Sequence, residues 1–139
     1  MTVDGEISAD GVATAPGFQV GHGGATGGSL WVTTNTLAGS GRFTAEGYPG
    51  VFINGHPSTG HSSGGRVAVY YQNAAAFSGF AASTAATPNG DAEPGTVLFI
   101  QTAGDALNAR SFERLDVLEG RTLALSTLTL EDGARLDLG

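Results

Sequence analysis

The residues best suited to hold a metal ion are the three histidines, His22, His56 and His61, which lie in two glycine-rich stretches, "GHGGATGG" and "GHPSTGHSSGG". Aligning these stretches places His22 and one of the other two at the same corner of successive structural layers, about 5 Å apart at their roots. Asp91, in the next such stretch, is the candidate third ligand. Two imidazoles and a carboxylate suit Zn²⁺, Ni²⁺ or Cu²⁺. The spacing matches no established ligand motif, and exposed loop histidines are ordinarily just solvated. A Ca²⁺ ion has a weaker case. "NGDAE" at 89–93 offers Asp91 and Glu93 but lacks the ordered D-x-[DN]-x-[DN]-G spacing and the nonapeptide repeat of calcium-binding solenoids. Cysteine is absent, so thiolate ligands and disulfides are excluded.

Cleavage of a glycan needs two carboxylates roughly 5 to 10 Å apart, or a Ca²⁺-binding carboxylate cluster beside a base. Asp4 with Glu6, or Asp10 with Glu46, can meet across stacked layers about 4.8 Å apart. Arg42 and Arg66 are the only bases in the two clearest repeats and fall on different strands, so no acid and base are expected to gather. These carboxylates read as solvated turn residues, and no catalytic residue is expected. Binding has a better candidate. Trp31 is the single tryptophan, and alternation turns it outward while Leu30 and Val32 turn inward. With Ala68, Tyr70 and Leu98 on the same face it would form an apolar platform for a sugar ring or a partner protein, unless a loop or a neighbouring part of a larger protein covers it.

The elements that must position these groups are visible as a repeat. "GGSLWV" at 27–32, "GGRVAVYY" at 64–71 and "EPGTVLFI" at 93–100 each follow glycine with alternating apolar residues, and they recur after about 37 and then about 31 residues. Period-two alternation stacks Leu30 and Val32 on Val67 and Val69, and those on Val97 and Phe99. Three further aligned sets follow: Val3, Leu37 and Phe77; Ile7, Phe43 and Phe80; Ala9, Ala45 and Ala82. The "GSG" at 39–41 is expected to be a tight corner, and the glycine-rich loops leave at another. A cycle of short strands that returns to its start is one coil of a β-solenoid.

Residues 101–120 break the pattern and are expected to form an irregular loop or a short helical turn near 105–112. Leucines at 123, 125, 128, 130, 136 and 138 then predict final strands over 121–139, with "EDG" as their turn. The whole chain, 1–139, reads as one all-β domain of about four coils, 1–100 being clear repeats, with the character of a piece of a longer solenoid.

These repeats, "GGSLWV...LAGSGRFTAEG" and "GGRVAVYY...FSGFAAS...GTVLFI", resemble the glycine-rich right-handed parallel β-helix repeats of very large secreted or surface bacterial proteins, adhesin-like and haemagglutinin-like ones among them. The resemblance covers roughly residues 1 to 100. It implies a non-catalytic structural or adhesive segment, extracellular or at the cell surface, whose partners are neighbouring coils of its parent, surface glycans, or further copies joined through solenoid ends. The same fold serves polysaccharide lyases and tailspikes, so a carbohydrate-binding or carbohydrate-cleaving β-helix is the alternative, and a metal-binding loop module the second. No resident cofactor is implied beyond the Zn²⁺ or Ca²⁺ considered above. Thirteen acidic residues against six arginines give a net charge of -7, which disfavours nucleic acid and anionic bilayers. No apolar run is long enough to span a bilayer, and "MTVDGEISADG" is not an export signal, so any such signal is expected outside this chain.

Overall fold

Alternating small and large apolar residues form ladders only where backbone partners are in register, and they are in register here. The computed structural model describes residues 1–12, 24–48, 62–86, 92–103, 108–116, 127–130 and 135–137. Its strands are β1 (Glu6–Ser8), β2 (Ser29–Gly39), β3 (Arg42–Thr44), β4 (Arg66–Phe77), β5 (Thr96–Gln101), β6 (Asn108–Asp116), β7 (Thr127–Leu130) and β8 (Arg135–Asp137). The described residues are all-β, and the parallel sheet curls into a half-barrel around the core.

On the first face β2, β4 and β5 are parallel neighbours, with Leu30 opposite Val67, Val32 opposite Val69, and Val67 and Val69 opposite Val97 and Phe99. A second tier of parallel contacts links Thr2 to Ala38 and Ala38 to Ala76. A third pairs β1 with β3 and bridges Thr44 to Thr84. Between the second and third the chain turns sharply at Gly39, whose φ of 103° is open to glycine and strained for other residues. The "GSG" corner is therefore as expected.

Where the third tier gives way to the next first-face strand, the same hydrogen bond occurs three times. Gly28 N–H donates to the Ala9 carbonyl at 2.6 Å, Gly65 to Ala45 at 2.7 Å and Gly95 to Ala85 at 2.8 Å. Each bond joins the end of a third-tier segment to the start of the next first-face strand, and further bonds beyond it, Ala25 with Tyr48 and Gly47 N–H to the Ala86 carbonyl, continue the stack. Glycine is required beside the bond to Ala85, because a Cβ at Gly64 would collide with the Ala85 carbonyl.

Inside lie Val3, Leu37, Phe43, Ala45, Val67, Val69, Tyr71, Phe77, Ala85, Val97 and Phe99, all buried. Each large aliphatic or aromatic side chain among them contributes about 1.5 to 3 kcal/mol. Phe80 packs edge-on against Phe77 and Phe99, with ring centroids 4.9 Å apart in both cases.

Several expectations are corrected. The aligned set Ile7, Phe43 and Phe80 holds only for its first two members, since the bridge between Thr44 and Thr84 puts Ser83 opposite Phe43. A turn at 80–82 inserts residues, closed by Ser83 N–H on the Phe80 carbonyl at 3.1 Å. Buried Ser83 then accepts Phe43 N–H at 3.1 Å and donates to the Gly79 carbonyl at 2.8 Å, while Phe80 swings into the core. The alanine that continues Ala9 and Ala45 is accordingly Ala85, fully buried, and not Ala82, which is exposed. Val3, Leu37 and Phe77 are all buried, but a register shift between Thr36 and Ala38 makes Gly39 the backbone partner of Phe77.

The largest departure is β6. Residues 108–112 are extended strand, not a helical turn, and β6 runs antiparallel to β5, with Phe99 opposite Arg110 and Ile100 opposite Ala109. The parallel stack therefore ends in an antiparallel seam. Beyond it β7 and β8 both pair with β6 in parallel, β7 along 108–111 and β8 along 114–116. They follow one another in the same direction, so they do not form a hairpin about "EDG".

Candidate functional site

Trp31 sits on β2 opposite Ala68, and Tyr70 sits on β4 opposite Thr33. Their side chains share the outer face, as alternation requires. The rings meet diagonally, centroids 4.7 Å apart and planes inclined by 34°, within the range of offset aromatic pairs. Trp31 is 66% exposed. Tyr70 is half-buried, because it also packs on Leu98 and Ile100 together with Leu128.

Leu98 is corrected as a platform residue. It is only 5% exposed, and Ala68 is fully buried. Both share the outer face, but they lie beneath it, as support for an aromatic surface made of Trp31 and Tyr70 alone. What sequence reasoning missed was the second apolar cluster of Leu98 and Ile100. The signal was present as four consecutive apolar residues at 97–100, which mark a strand buried on both faces.

Charged groups meet at the third tier. Glu6 is the register partner of Arg42, and Arg42 Nε donates to Glu6 Oε2 at 2.6 Å, with Nη2 at 2.5 Å from the same oxygen. The pair is exposed and borders an open cleft of about 330 Å³ lined by Gly5, Glu6, Ser40, Gly41, Arg42 and Ala82. The expectation that no acid and base gather is corrected here: Ile7 pairs with Phe43, which makes Glu6 and Arg42, one residue upstream in each strand, neighbours.

Asp10 meets Glu46 across adjacent layers at the main-chain N–H of Glu46. Its carboxylate accepts Ser8 Oγ at 2.7 Å, Thr44 Oγ1 at 3.0 Å and the main-chain N–H of Glu46 at 2.6 Å. Burial, the largest single influence, pushes its pKa up. The bonds from Ser8, the Glu46 N–H and Thr44, with the charge of Arg42, outweigh it and hold the carboxyl below its ordinary value. Asp10 ties adjacent layers together, and the same bonds favour its ionised form. Asp4 accepts a long bond of 3.4 Å from Ser40 N–H, and Arg66 is exposed at the head of β4.

His22, His56, His61 and Asp91 all lie outside the described residues, as does the rest of "NGD" at 89–91. Among the described residues no three His, Cys, Asp or Glu side chains come together to hold a metal ion. No helix among them is long and apolar enough to cross a membrane.

Against protein-family models, curated proteins and solved structures, the chain matches none.

Proposed function

We propose that this chain is a non-catalytic structural or adhesive segment of a large extracellular bacterial surface protein, built as a right-handed parallel β-helix of about four coils. Right-handedness follows the general rule for parallel crossover connections. The observation that carries the reading is the use made of the ionisable side chains. Glu6 with Arg42, and Asp10 with Ser8, Thr44 and the Glu46 N–H, each join one layer to the next. Groups so committed hold a stack together, and the Glu6 and Arg42 side chains that border the cleft engage one another in an ion pair. Neighbouring coils and surface glycans are the natural partners, and a Zn²⁺ or Ca²⁺ ion at the histidine and Asp91 loops is a subsidiary proposal.

The alternative, a carbohydrate-binding or carbohydrate-cleaving β-helix, is favoured by the exposed Trp31 ring backed by Tyr70. One experiment separates the two. The purified chain is incubated with neutral and acidic polysaccharides while new reducing ends and unsaturated uronates are monitored. No turnover is expected. Turnover lost in Asp10→Ala, Glu46→Ala or Arg66→Ala would overturn the non-catalytic reading.

A further inference from the structure

Three Asp–Gly steps occur in the chain, at 4–5, 10–11 and 132–133. Such a step can rearrange its own main chain, because the glycine nitrogen can reach the aspartate Cγ and no side chain stands in the way. The third step lies outside the described residues, and the other two are built differently.

Asp10–Gly11 is locked. The Asp10 carboxylate accepts bonds from Ser8, Thr44 and the Glu46 N–H. Gly11 N–H donates to the Glu46 carbonyl at 2.8 Å, and a Cβ at Gly11 would collide with the Ala25 carbonyl. Asp4–Gly5, by contrast, forms a bend just before β1, and both residues are exposed. The Asp4 carboxylate accepts one long bond of 3.4 Å from Ser40 N–H. No described residue accepts the Gly5 N–H, and a Cβ at Gly5 would meet nothing within 4 Å. Nucleophile and carboxyl are both free here, with open space for a ring to close.

This open step sits between two fastenings to the next layer. Gly41 N–H donates to the Val3 carbonyl at 2.8 Å, and Arg42 N–H donates to the Gly5 carbonyl at 2.9 Å. The pairing of β1 with β3 then begins at Glu6 and Arg42. A main chain one atom longer between Val3 and Gly5 cannot hold both bonds at hydrogen-bonding length and angle.

We propose that Asp4–Gly5 is a site of spontaneous main-chain isomerisation, and that its isoaspartyl product unfastens β1 from β3. In the first step the Gly5 nitrogen bonds to Asp4 Cγ, and the N–H proton and the carboxyl hydroxyl leave together as water, closing a five-membered succinimide. In the second a water adds its hydroxyl to the Asp4 main-chain carbonyl carbon and its proton to the Gly5 nitrogen as the bond between them breaks. Gly5 is then joined through Cγ, the Asp4 α-carboxyl is free, and the main chain is longer by one methylene. One water leaves and one enters, so the mass is unchanged. The inference goes beyond the surface-protein role and does not depend on it.

The full chain is held for weeks at neutral pH and body temperature, folded or in urea. Isoaspartate is measured by enzymatic methylation of isoaspartyl carboxyls and located by electron-transfer fragmentation. In urea both Asp4 and Asp10 should form it. In the folded chain Asp4 should form it about fivefold faster than Asp10 or more, because local protection and not the dipeptide separates the two steps. Gly5→Ala, which the open space tolerates, should slow the reaction, and Asp4→Glu should remove it at this position. Amide hydrogen exchange at Gly41 and Arg42 should be faster in the isomerised fraction than in the unreacted one. Formation at Asp4 no faster than at Asp10 in the folded chain, or an isomerised chain whose Gly41 and Arg42 amides exchange as slowly as before, would overturn the proposal.

Discussion

Asp10 shows how a residue with catalytic credentials serves as a fastener. Its three acceptor bonds join Ser8 in its own layer to Thr44 and Glu46 in the next, so Asp10→Ala should destabilise the chain by about 1 to 2 kcal/mol in thermal or urea unfolding. Asp4→Ala, which loses one long bond, should stay within about 0.5 kcal/mol. Because the folded pKa of Asp10 is depressed, its contribution is complete above the unfolded carboxyl range near pH 4 and disappears as pH falls through the lower folded value. The gap between parent and Asp10→Asn should therefore narrow as unfolding is measured from pH 6 down towards pH 2.5, and a gap that stayed constant would rule out the ionised tie. Glycines divide as sharply. A Cβ at Gly64 meets the Ala85 carbonyl, while one at Gly5 meets nothing within 4 Å. Gly64→Ala should cost about 3 kcal/mol or more and Gly5→Ala less than about 1 kcal/mol.

At the scale of the strand, the turn at 80–82 is the feature to test. It moves Ala85, not Ala82, into the buried ladder. Ala85→Glu should abolish cooperative unfolding or lower stability by several kcal/mol, whereas Ala82→Glu should be nearly silent. The reverse result would restore the simple alignment. This contrast marks where the sequence is legible. Strands β2, β4 and β5 announced themselves through a glycine followed by apolar residues at every second position, and Leu30, Val67 and Val97 stack as the pattern required. Phe80 misled because it stands as far from Phe43 as Val67 stands from Leu30, a spacing that the register shift at Thr36 and the turn at 80–82 then break. A two-residue insertion that hides a serine hydroxyl under a backbone N–H leaves no periodic trace. Strand β6 was illegible for a related reason: "NARSFERLD" lacks the glycine that opened each earlier strand. Of the aromatic surface, Trp31 and Tyr70 could be placed from period alone. The burial of Leu98 was legible only in the unbroken apolar run at 97–100, not in the alternation that places the platform.

For the molecule as a whole, the layer-to-layer hydrogen bonds separate frame from loops. A loop whose two ends are held by the frame can change length at the cost of loop-closure entropy alone, about 0.6 kcal/mol per doubling. Inserting ten Gly/Ser residues after Gly55 should therefore shift stability by less than about 1 kcal/mol, and a large loss would mean that this loop is built into the frame. The antiparallel seam between β5 and β6 has a consequence of another kind, in time. A chain made from its N-terminus completes its parallel tiers first and holds the outer edge of β5 bare until β6 follows. Fifteen residues separate Gln101 from Asp116, roughly 1 to 3 s of synthesis at about 5 to 20 residues per second. For that interval the nascent protein carries a strand edge in search of a partner, and the reversal of direction at β6 guarantees that its own next segment, rather than one more identical tier, is what arrives to close it.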